Sequence, residues 1–142
     1  MTIVIDSSIT LAWLLADERT AAARDVLMEV ATAGALVPSL WRLEVANALL
    51  LAVRRRRIDG AYLDACLQDL AALPIALDPD TDRHAWSGTL LLARRCDLTL
   101  YDASYLELAQ RTAHPLATLD TALRSAASGV GVGLLGQEGD RS

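Results

Sequence analysis

The sequence contains no lysine and no phenylalanine, and aromatic residues make up only 4% of its 142 residues. All 13 basic residues are therefore arginine. A phosphate-binding loop of the Walker type and the Schiff-base enzymes both require a lysine, so the sequence excludes these two classes. Without phenylalanine, the core has to be built mainly from Leu, Val, Ile and Ala side chains.

Cysteine and positive charge are also scarce. Cys66 and Cys96 form neither a CxxC pair nor a cluster with metal-ligand spacing, so we expect two reduced, buried thiols in a reducing compartment. The net charge of −5 argues against a protein that coats nucleic acid by charge alone. The N-terminus lacks the basic region of a signal peptide, and its longest nearly uncharged run, residues 7–16, is shorter than the ~20 residues of a membrane span. We expect a cytoplasmic protein without membrane contact.

Short β-branched runs alternate with helical patterns along a chain that shows no repeat and no linker. We therefore predict a single domain over residues 1–142. The patterns predict strands over residues 2–5, 35–38, 75–77, 115–118 and 131–135. They predict helices over residues 9–16, 20–32, 39–57, 61–73, 81–95, 100–111 and 121–127, the first capped by Ser7 or Ser8. This alternation is typical of an α/β domain in which helices cover both faces of a short-stranded parallel sheet.

Two predicted helices carry apolar side chains at the spacing of one helix face. On the helix over residues 39–57 these are Leu43, Ala46, Leu50 and Val53. On the helix over residues 61–73 they are Leu63, Leu67, Leu70 and Leu73, which we expect to form a buried stripe. The three tryptophans, Trp13, Trp41 and Trp86, are expected in the core or at an interface.

Four acidic residues fall at one kind of position. Asp6 closes the first strand, Asp120 follows the strand over 115–118, and Asp102 and Glu44 lie near the starts of two helices. In a parallel sheet, strand carboxyl ends and the following helix amino ends share the edge where open α/β folds bind ligands. The sequence therefore predicts a group of carboxylates at this edge.

Helix capping is the structural alternative for these acids. Asp is a common N-cap, and capping accounts for Asp102 or Asp120 taken alone. It accounts less well for Asp6, and poorly for Glu44, which has no basic residue three or four positions away on its helix. Several carboxylates that converge without Lys or His repel one another unless a cation binds them. Oxygen ligands alone favour Mg²⁺ or Mn²⁺ over zinc.

Longer strings in the sequence resemble a known family. Ile-Val-Ile-Asp-Ser-Ser at residues 3–8, followed by Trp13, and Val-Pro-Ser at 37–39, with Glu44 and Asn-Ala-Leu at 47–49, are similar to a PIN-domain ribonuclease. Leu-Thr-Leu-Tyr-Asp-Ala-Ser-Tyr-Leu-Glu-Leu-Ala at 98–109 and Leu-Ala-Thr-Leu-Asp-Thr-Ala-Leu at 116–123 resemble the VapC toxins of toxin–antitoxin systems. The resemblance extends over nearly the whole chain.

The resemblance implies a PIN fold and a Mg²⁺-dependent (or Mn²⁺-dependent) endoribonuclease that hydrolyses RNA phosphodiester bonds. It implies catalytic carboxylates at Asp6, Glu44, Asp102 and Asp120, with Asp6, Asp102 and Asp120 as metal ligands. Its small hydroxyl positions fall on Ser7 or Ser8 and on Thr118. It also implies a cognate antitoxin protein as partner and, together with the leucines of the helix over 61–73, a homodimer.

Two other functions would also use an acidic residue at these positions. A phosphoryl-handling enzyme or receiver domain with Asp6 as acceptor requires an adjacent second acid or a late lysine, and neither is present. A catalytically inert module whose acidic pocket binds an arginine of the antitoxin uses the same carboxylates and stays open. The run Arg54–Arg57 can contact RNA, but we interpret it first as a solvated helix end, where positive charge favours the helix dipole.

Overall fold

Five short strands form one parallel sheet in the computed structural model, which describes residues 1–140. The strands are β1 (Ile3–Ile5), β2 (Ala35–Val37), β3 (Ile75–Leu77), β4 (Leu116–Ala117) and β5 (Leu134–Leu135). Their order is β3-β2-β1-β4-β5, and every neighbouring pair is parallel. β2 and β3 lie on one side of β1, and β4 and β5 lie on its other side. The crevice at the carboxyl ends of β1 and β4 is therefore the topological switch point, where such sheets bind ligands.

Eight α-helices flank the sheet in this part of the chain, and together they confirm the predicted α/β class. They are α1 (Ser7–Leu14), α2 (Ala21–Ala33), α3 (Trp41–Arg54), α4 (Gly60–Ala71), α5 (Thr81–His84), α6 (Gly88–Cys96), α7 (Leu100–Thr112) and α8 (Thr121–Gly129). A 3₁₀ turn, Ala16–Glu18, follows α1. None of the helices has the length and apolar character needed to cross a membrane.

The core is aliphatic and is centred on β1 and α7. All three residues of β1 are inaccessible to solvent, as is Leu116 of the neighbouring strand. Helix α7 has seven consecutive buried residues, from Ala103 to Ala109. Since α7 is buried on all sides over this stretch, polar side chains along it require partners within the protein.

Several predicted boundaries differ from the observed ones. Helix α1 begins at Ser7 with Asp6 as its N-cap, so the prediction of Ser7 or Ser8 as the cap was wrong. The single helix predicted over 81–95 is two helices, because the chain turns at Trp86 and Ser87, where the Ser87 amide donates to the His84 carbonyl. The strand predicted over 131–135 is reduced to its last two residues.

The predicted core face of α3 was wrong. Leu43 is 76% exposed, and the residues that pack inward are Trp41, Val45, Leu49 and Ala52. Leucines and alanines at helical spacing occur on both faces of this helix, so spacing alone does not distinguish them. The tertiary fold makes the choice, because the Trp41 indole N–H donates to the Thr10 hydroxyl of α1 at 3.1 Å.

The predicted stripe on α4 and the expected burial of Cys96 were only partly right. In α4 the buried residues are Cys66 and Leu70, whereas Leu67 is exposed. Cys96 is half-buried rather than buried. Trp86 is 90% exposed, so of its two expected locations, the core or an interface, the interface stays a prediction.

Candidate active site at the switch point

The four acidic residues stand on four different elements around the switch point. Asp6 directly follows β1, and Asp120 is the third residue after the neighbouring strand β4. Asp102 is in the first turn of α7, and Glu44 is in the first turn of α3. The sheet topology and local hydrogen bonds thus place carboxylates from distant parts of the sequence around the switch point.

Asp6 is the most buried of the four, with 5% of its surface exposed. Its Oδ1 accepts hydrogen bonds from the Ser8 hydroxyl at 2.6 Å and from the Ile9 amide at 3.1 Å. Its Oδ2 accepts one from the Thr118 hydroxyl at 2.5 Å. Because a carboxylate oxygen has about two acceptor positions, Oδ1 is saturated and Oδ2 keeps one position for a ligand.

Two hydroxyl groups join the β1–α1 turn to the β4–α8 turn. Ser8 Oγ accepts from the Leu119 amide at 2.9 Å while it donates to Asp6. Thr118 Oγ1 accepts from the Asp120 amide at 3.0 Å while it donates to Asp6. Of the two candidate serines, Ser8 makes these contacts. The Ser8 and Thr118 hydroxyls together hold Asp6 and Asp120 in place at the ends of adjacent strands.

Glu44 has a partner that the sequence analysis did not identify. The hydroxyl of Tyr105, a side chain that is only 1% exposed, donates to Glu44 Oε1. Tyr105 lies three residues after Asp102 on α7, which puts the two on one side of the helix. That spacing was visible in the Tyr-Asp-Ala-Ser-Tyr string, but only the tertiary structure brings α3 beside it.

The pKa of Asp6 reflects the burial of its carboxylate and the lack of a positively charged partner within residues 1–140. Burial raises the pKa of Asp6 to about 6, although the hydrogen bonds from Ser8, Thr118 and the Ile9 amide oppose the shift. The negative charge of Asp120 adds to the rise in that pKa. Asp6 therefore carries its charge at neutral pH against both desolvation and repulsion.

The other carboxylates are coupled to one another in the same way. Burial raises the pKa of Asp102, and the charge of Asp120 raises it further. Burial also raises the pKa of Glu44, and the charge of Asp102 adds to that shift, while the Tyr105 hydrogen bond opposes it. Asp6, Glu44 and Asp102 are thus each affected by the charge of another carboxylate. Within residues 1–140 none of the four acids forms an ion pair with an arginine.

Asp78 provides a contrast at another strand end. It directly follows β3 and is buried, as Asp6 is after β1, but Arg111 Nη2 lies 2.6 Å from its Oδ2. Burial alone would raise the pKa of Asp78, yet the hydrogen bonds from Arg111, the Asp80 amide and Thr81 hold it below its usual range. Arg111 also bonds Glu107 at 2.7 Å. Arg111 therefore neutralises Asp78 and Glu107, whereas no arginine of residues 1–140 neutralises the four acids at the switch point.

Helix capping explains part of the acidic group. Asp6 caps α1, and Asp120 caps α8 by accepting from the Leu123 amide at 2.8 Å. Asp102 is not a cap, because the Thr99 hydroxyl holds that position on α7. Glu44 does not cap α3 either. A structural role therefore covers two of the four acids.

The donor set fits a hydrated, hard divalent ion. Among the described residues, no three His, Cys, Asp or Glu side chains are grouped closely enough to enclose a metal ion. Mg²⁺ retains several waters and needs only one or two protein carboxylates, so paired acids suffice for it. The free acceptor position on Asp6 Oδ2 and the mutual repulsion of the acids both favour a bound cation.

Comparison with known proteins identifies the family. The profile of the PIN domain matches residues 3–129. The chain therefore belongs to the PIN domain family, as its motifs predict; PIN domains are nucleases that act on RNA or DNA and generally use divalent metal ions. A search of the curated proteins finds no match to this sequence.

Solved structures share this fold. PAE2754 from Pyrobaculum aerophilum is 26% identical, with a TM-score of 0.66 over 89% of this chain and 79% of that one. VapC20 from Mycobacterium tuberculosis, a toxin that cleaves the sarcin-ricin loop, is 15% identical, with a TM-score of 0.60 over 87% and 94% of the two chains. FitAcB from Neisseria gonorrhoeae is 14% identical, with a TM-score of 0.60 over 93% and 95%. At these last two identities the likeness concerns the fold.

Proposed function

We propose that this protein is a Mg²⁺-dependent endoribonuclease and the toxin component of a toxin–antitoxin pair. The observation that carries the proposal is the convergence of four carboxylates at the switch point, with raised pKa values on three of them and no arginine of residues 1–140 to neutralise them. Family membership supplies the nuclease chemistry, and the sequence strings supply the resemblance to VapC toxins. The site of action in this proposal is the cytoplasm.

Asp6, Asp102 and Asp120 are the proposed ligands of Mg²⁺ or Mn²⁺. Asp6 and Asp102 are the proposed direct ligands, and Asp120 binds the ion directly or through one of its waters. Asp6 offers only Oδ2, because its Oδ1 is occupied by Ser8 and the Ile9 amide. When bound, the ion supplies Lewis-acid chemistry that activates a water and offsets the charge on the scissile phosphate.

Glu44 is the proposed fourth catalytic residue, and it orients the attacking water. Its Oε1 is engaged by Tyr105, so Oε2 is the oxygen that faces a water or a substrate group. The water oxygen forms a bond to phosphorus and loses a proton to solvent or to a carboxylate, while the ester bond to the leaving oxygen breaks and that oxygen takes up a proton from solvent.

The proposed protein partners are a cognate antitoxin and a second copy of this chain. Exposed apolar side chains that the fold leaves unburied support both: Leu43, Leu91, Trp86 and Tyr101 are all more than half exposed. An obligate dimer interface buries roughly 2,000 Å² in total. Sedimentation of the purified protein at high micromolar concentration is expected to give a dimer, and a monomer there contradicts this part of the proposal.

An inert module whose acidic pocket binds an antitoxin arginine is the alternative function. The same unpaired carboxylates support it, since a guanidinium can bind two carboxylate oxygens at once. A cleavage assay distinguishes the ribonuclease from the inert module, because only the ribonuclease cuts RNA. Purified protein freed of antitoxin is incubated with RNA in Mg²⁺ and in a chelator, and the new RNA ends are sequenced.

Asp102→Asn and Asp64→Asn serve as a matched pair in that experiment. Both remove one carboxylate from a helix, but Asp64 is exposed on α4, away from the acidic group. We expect Mg²⁺-dependent internal cleavage by the parent and by Asp64→Asn, and none by Asp102→Asn. Cleavage that persists in the chelator, or in Asp102→Asn, contradicts the proposal.

A further inference from the structure

The main concentration of positive charge in this acidic chain lies at the end of α3. The arginine tract, Arg54–Arg57, is exposed at every position. Arg57 Nη2 pairs with Asp17 and Glu18 of the 3₁₀ turn, each at 2.9 Å. Within residues 1–140, Arg54, Arg55 and Arg56 form no ion pair. Three exposed guanidinium groups therefore carry a positive charge that no carboxylate neutralises.

Helix geometry relates this tract to the acidic site. Arg55 follows Glu44 by eleven residues, about three helical turns, so the two lie on nearly the same side of α3 and roughly 16 Å apart along its axis. Arg55 is the C-cap, which directly follows Arg54, the last residue of the helix. Between Glu44 and Arg55 the same side carries Ala48 and Leu51, both half-buried. One continuous helix surface therefore leads from the carboxylates to the tract.

Helix α1 runs beside α3 in the same direction. It begins directly after its N-cap, Asp6, in the acidic site and ends at Leu14, and the 3₁₀ turn after it pairs with Arg57 through Asp17. An open groove of about 1210 Å³ lies at this far end, and its lining includes Leu15, Arg56 and Tyr62. The same lining contains Asp17 and Asp59, so the groove is mixed in charge, and Arg56 is its arginine that forms no ion pair within residues 1–140 and belongs to the tract. Two packed helices thus connect the acidic site with the arginine tract.

The backbone of the tract is held in one conformation. The Arg57 amide donates to the Ala52 carbonyl at 2.9 Å, and the Arg56 amide donates to the Val53 carbonyl at 3.0 Å. These two bonds form a Schellman motif, with Arg56 at the left-handed position where φ is 60° and glycine is usual. Asp97 and Ala113 occupy left-handed positions at the ends of α6 and α7, so Arg56 is one of several such residues here. Because the backbone is fixed, the Cα and Cβ atoms of these arginines have defined positions on the protein surface.

We propose that the arginine tract binds the phosphodiester backbone of single-stranded RNA whose scissile phosphate lies at the four carboxylates. The inference rests on the proposed ribonuclease function and adds a second contact region for the substrate. A separation of roughly 16 Å corresponds to about five stacked nucleotides at 3.4 Å each, and to fewer in an extended strand. Guanidinium groups bind phosphate oxygens in pairs, which suits them to this contact.

Charge balance gives the physical reason for a remote contact. RNA that approaches the acidic site meets negative charge, in a chain whose net charge is −5. Binding several phosphates beyond the site offsets that repulsion and releases counterions. The competing interpretation, a solvated helix end stabilised by the helix dipole, predicts an effect on stability only.

The test uses fluorescein-labelled oligouridylates of about four and about twelve nucleotides, a length range typical of single-strand sites. Binding is measured by anisotropy with Ca²⁺ in place of Mg²⁺, at several salt concentrations, and gels verify that the RNA stays intact. The variants are Arg55→Gln, Arg56→Gly and the control Arg24→Gln. Arg24 is exposed on α2 and forms no ion pair among the described residues, so each variant loses one charge.

We expect the parent to bind the longer RNA at least about tenfold more tightly than the shorter one. Arg55→Gln and Arg56→Gly should each weaken binding of the longer RNA about threefold to tenfold and reduce the salt slope by about 0.7, the value for one phosphate contact on a single strand. Neither should affect the short RNA, and Arg24→Gln should affect neither RNA. Arg56→Gly should also fold at least as stably as the parent, because glycine relieves the left-handed strain.

Two results overturn the tract proposal: the tract variants bind the longer RNA as Arg24→Gln does, or they lose affinity for both RNAs equally. A parallel cleavage reaction in Mg²⁺ separates this failure from a failure of the proposed function. If the parent cleaves RNA and the tract variants bind normally, the tract inference fails alone. If the parent binds long RNA through the tract but cleaves nothing, the ribonuclease proposal fails alone.

Discussion

The hydroxyl of Tyr105 donates a hydrogen bond to Oε1 of Glu44 and so joins α7 to α3 across the acidic site. Tyr105 is buried and its ring is held by the core, whereas Glu44 is half-buried with a second oxygen left for other contacts. The bond therefore fixes the orientation of a carboxylate that nothing else within residues 1–140 hydrogen-bonds. Tyr105 acts as a positioning residue for Glu44.

Tyr105→Phe should lower kcat about tenfold to a hundredfold, the usual effect of losing a group that orients a catalytic ligand. KM should change little, because the phenol does not touch the substrate. The hydrogen bond lowers the pKa of Glu44, so its loss should move the acid limb of the pH–rate profile to higher pH. Steady-state kinetics across pH measure all three quantities.

Tyr101→Phe is the matched control for that variant, since Tyr101 lies on the same helix but is largely exposed. It should retain the parent kcat and pH profile. The cost of Tyr105→Phe to folding should be about 1 kcal/mol, the net value of one hydrogen bond. A drop in activity with no movement of the acid limb, or one shared by Tyr101→Phe, contradicts a positioning role.

Asp6→Asn should raise the stability of the metal-free protein at neutral pH while it abolishes cleavage. The pKa of Asp6 is about 6 in the fold against an ordinary 3.8, so the folded state binds the proton more tightly than the unfolded chain does. This favours folding below pH 3.8, and the benefit is lost as pH rises through about 6. Two pKa units correspond to roughly 3 kcal/mol, an upper bound because Asn also alters the bond to Thr118.

Thermal unfolding in a chelator, from about pH 3.5 to 8, measures this effect. The parent should lose stability between about pH 4 and 6.5 relative to Asp6→Asn, and the two curves should converge at the acid end. If Asp6→Asn is less stable than the parent at every pH, the hydrogen bonds that the Asp6 carboxylate accepts from Ser8 and Thr118 outweigh the cost of burying its charge.

Mg²⁺ or Mn²⁺ should raise the melting temperature of the parent, since a ligand that binds only the folded state stabilises it by about 2.7 kcal/mol at a hundredfold excess over Kd. Asp102→Asn should remove most of that shift and keep the fold, because Asp102 caps no helix. Asp64→Asn, exposed on α4, should keep the full shift. A full metal shift in Asp102→Asn removes Asp102 from the proposed ligands.

Arg111→Gln should destabilise the fold without entering the chemistry. Arg111 bonds both Asp78 and Glu107, and its loss leaves two buried carboxylates without their cation, at a cost of about 3–5 kcal/mol. The pKa of Asp78 is depressed by this pairing, so in the parent the stabilisation is present at neutral pH and is lost as pH falls. In the variant, protonation of the freed acids should reduce the deficit at low pH.

Urea denaturation at pH 7.5 and pH 5 measures the stability difference, with Arg24→Gln as the control for loss of one charge. Activity per folded molecule should match that of the parent, since Arg111 belongs to a neutralised group. A large fall in kcat at full folding would show instead that this ion-pair group takes part in the reaction.

The sequence by itself determined the fold class and the family. Strand and helix periodicity predicts the parallel α/β sheet, and local strings such as Ile-Val-Ile-Asp-Ser-Ser predict the PIN family, which the profile match confirms. Both are encoded locally, through spacing along the chain and residues next to one another. The positions of Asp6 and Asp120 at neighbouring strand ends follow from the topology rules for parallel sheets.

The tertiary structure decided which similar-looking residues face each other. It chose Trp41 and Val45 over Leu43 as the buried side of α3, although both sides have helical spacing. It neutralised Asp78 with Arg111 and left Asp6 without a cation, although both acids are buried and directly follow a strand. Such choices depend on long-range contacts between side chains far apart in sequence, and their energies, unlike periodicity, cannot be read along the chain.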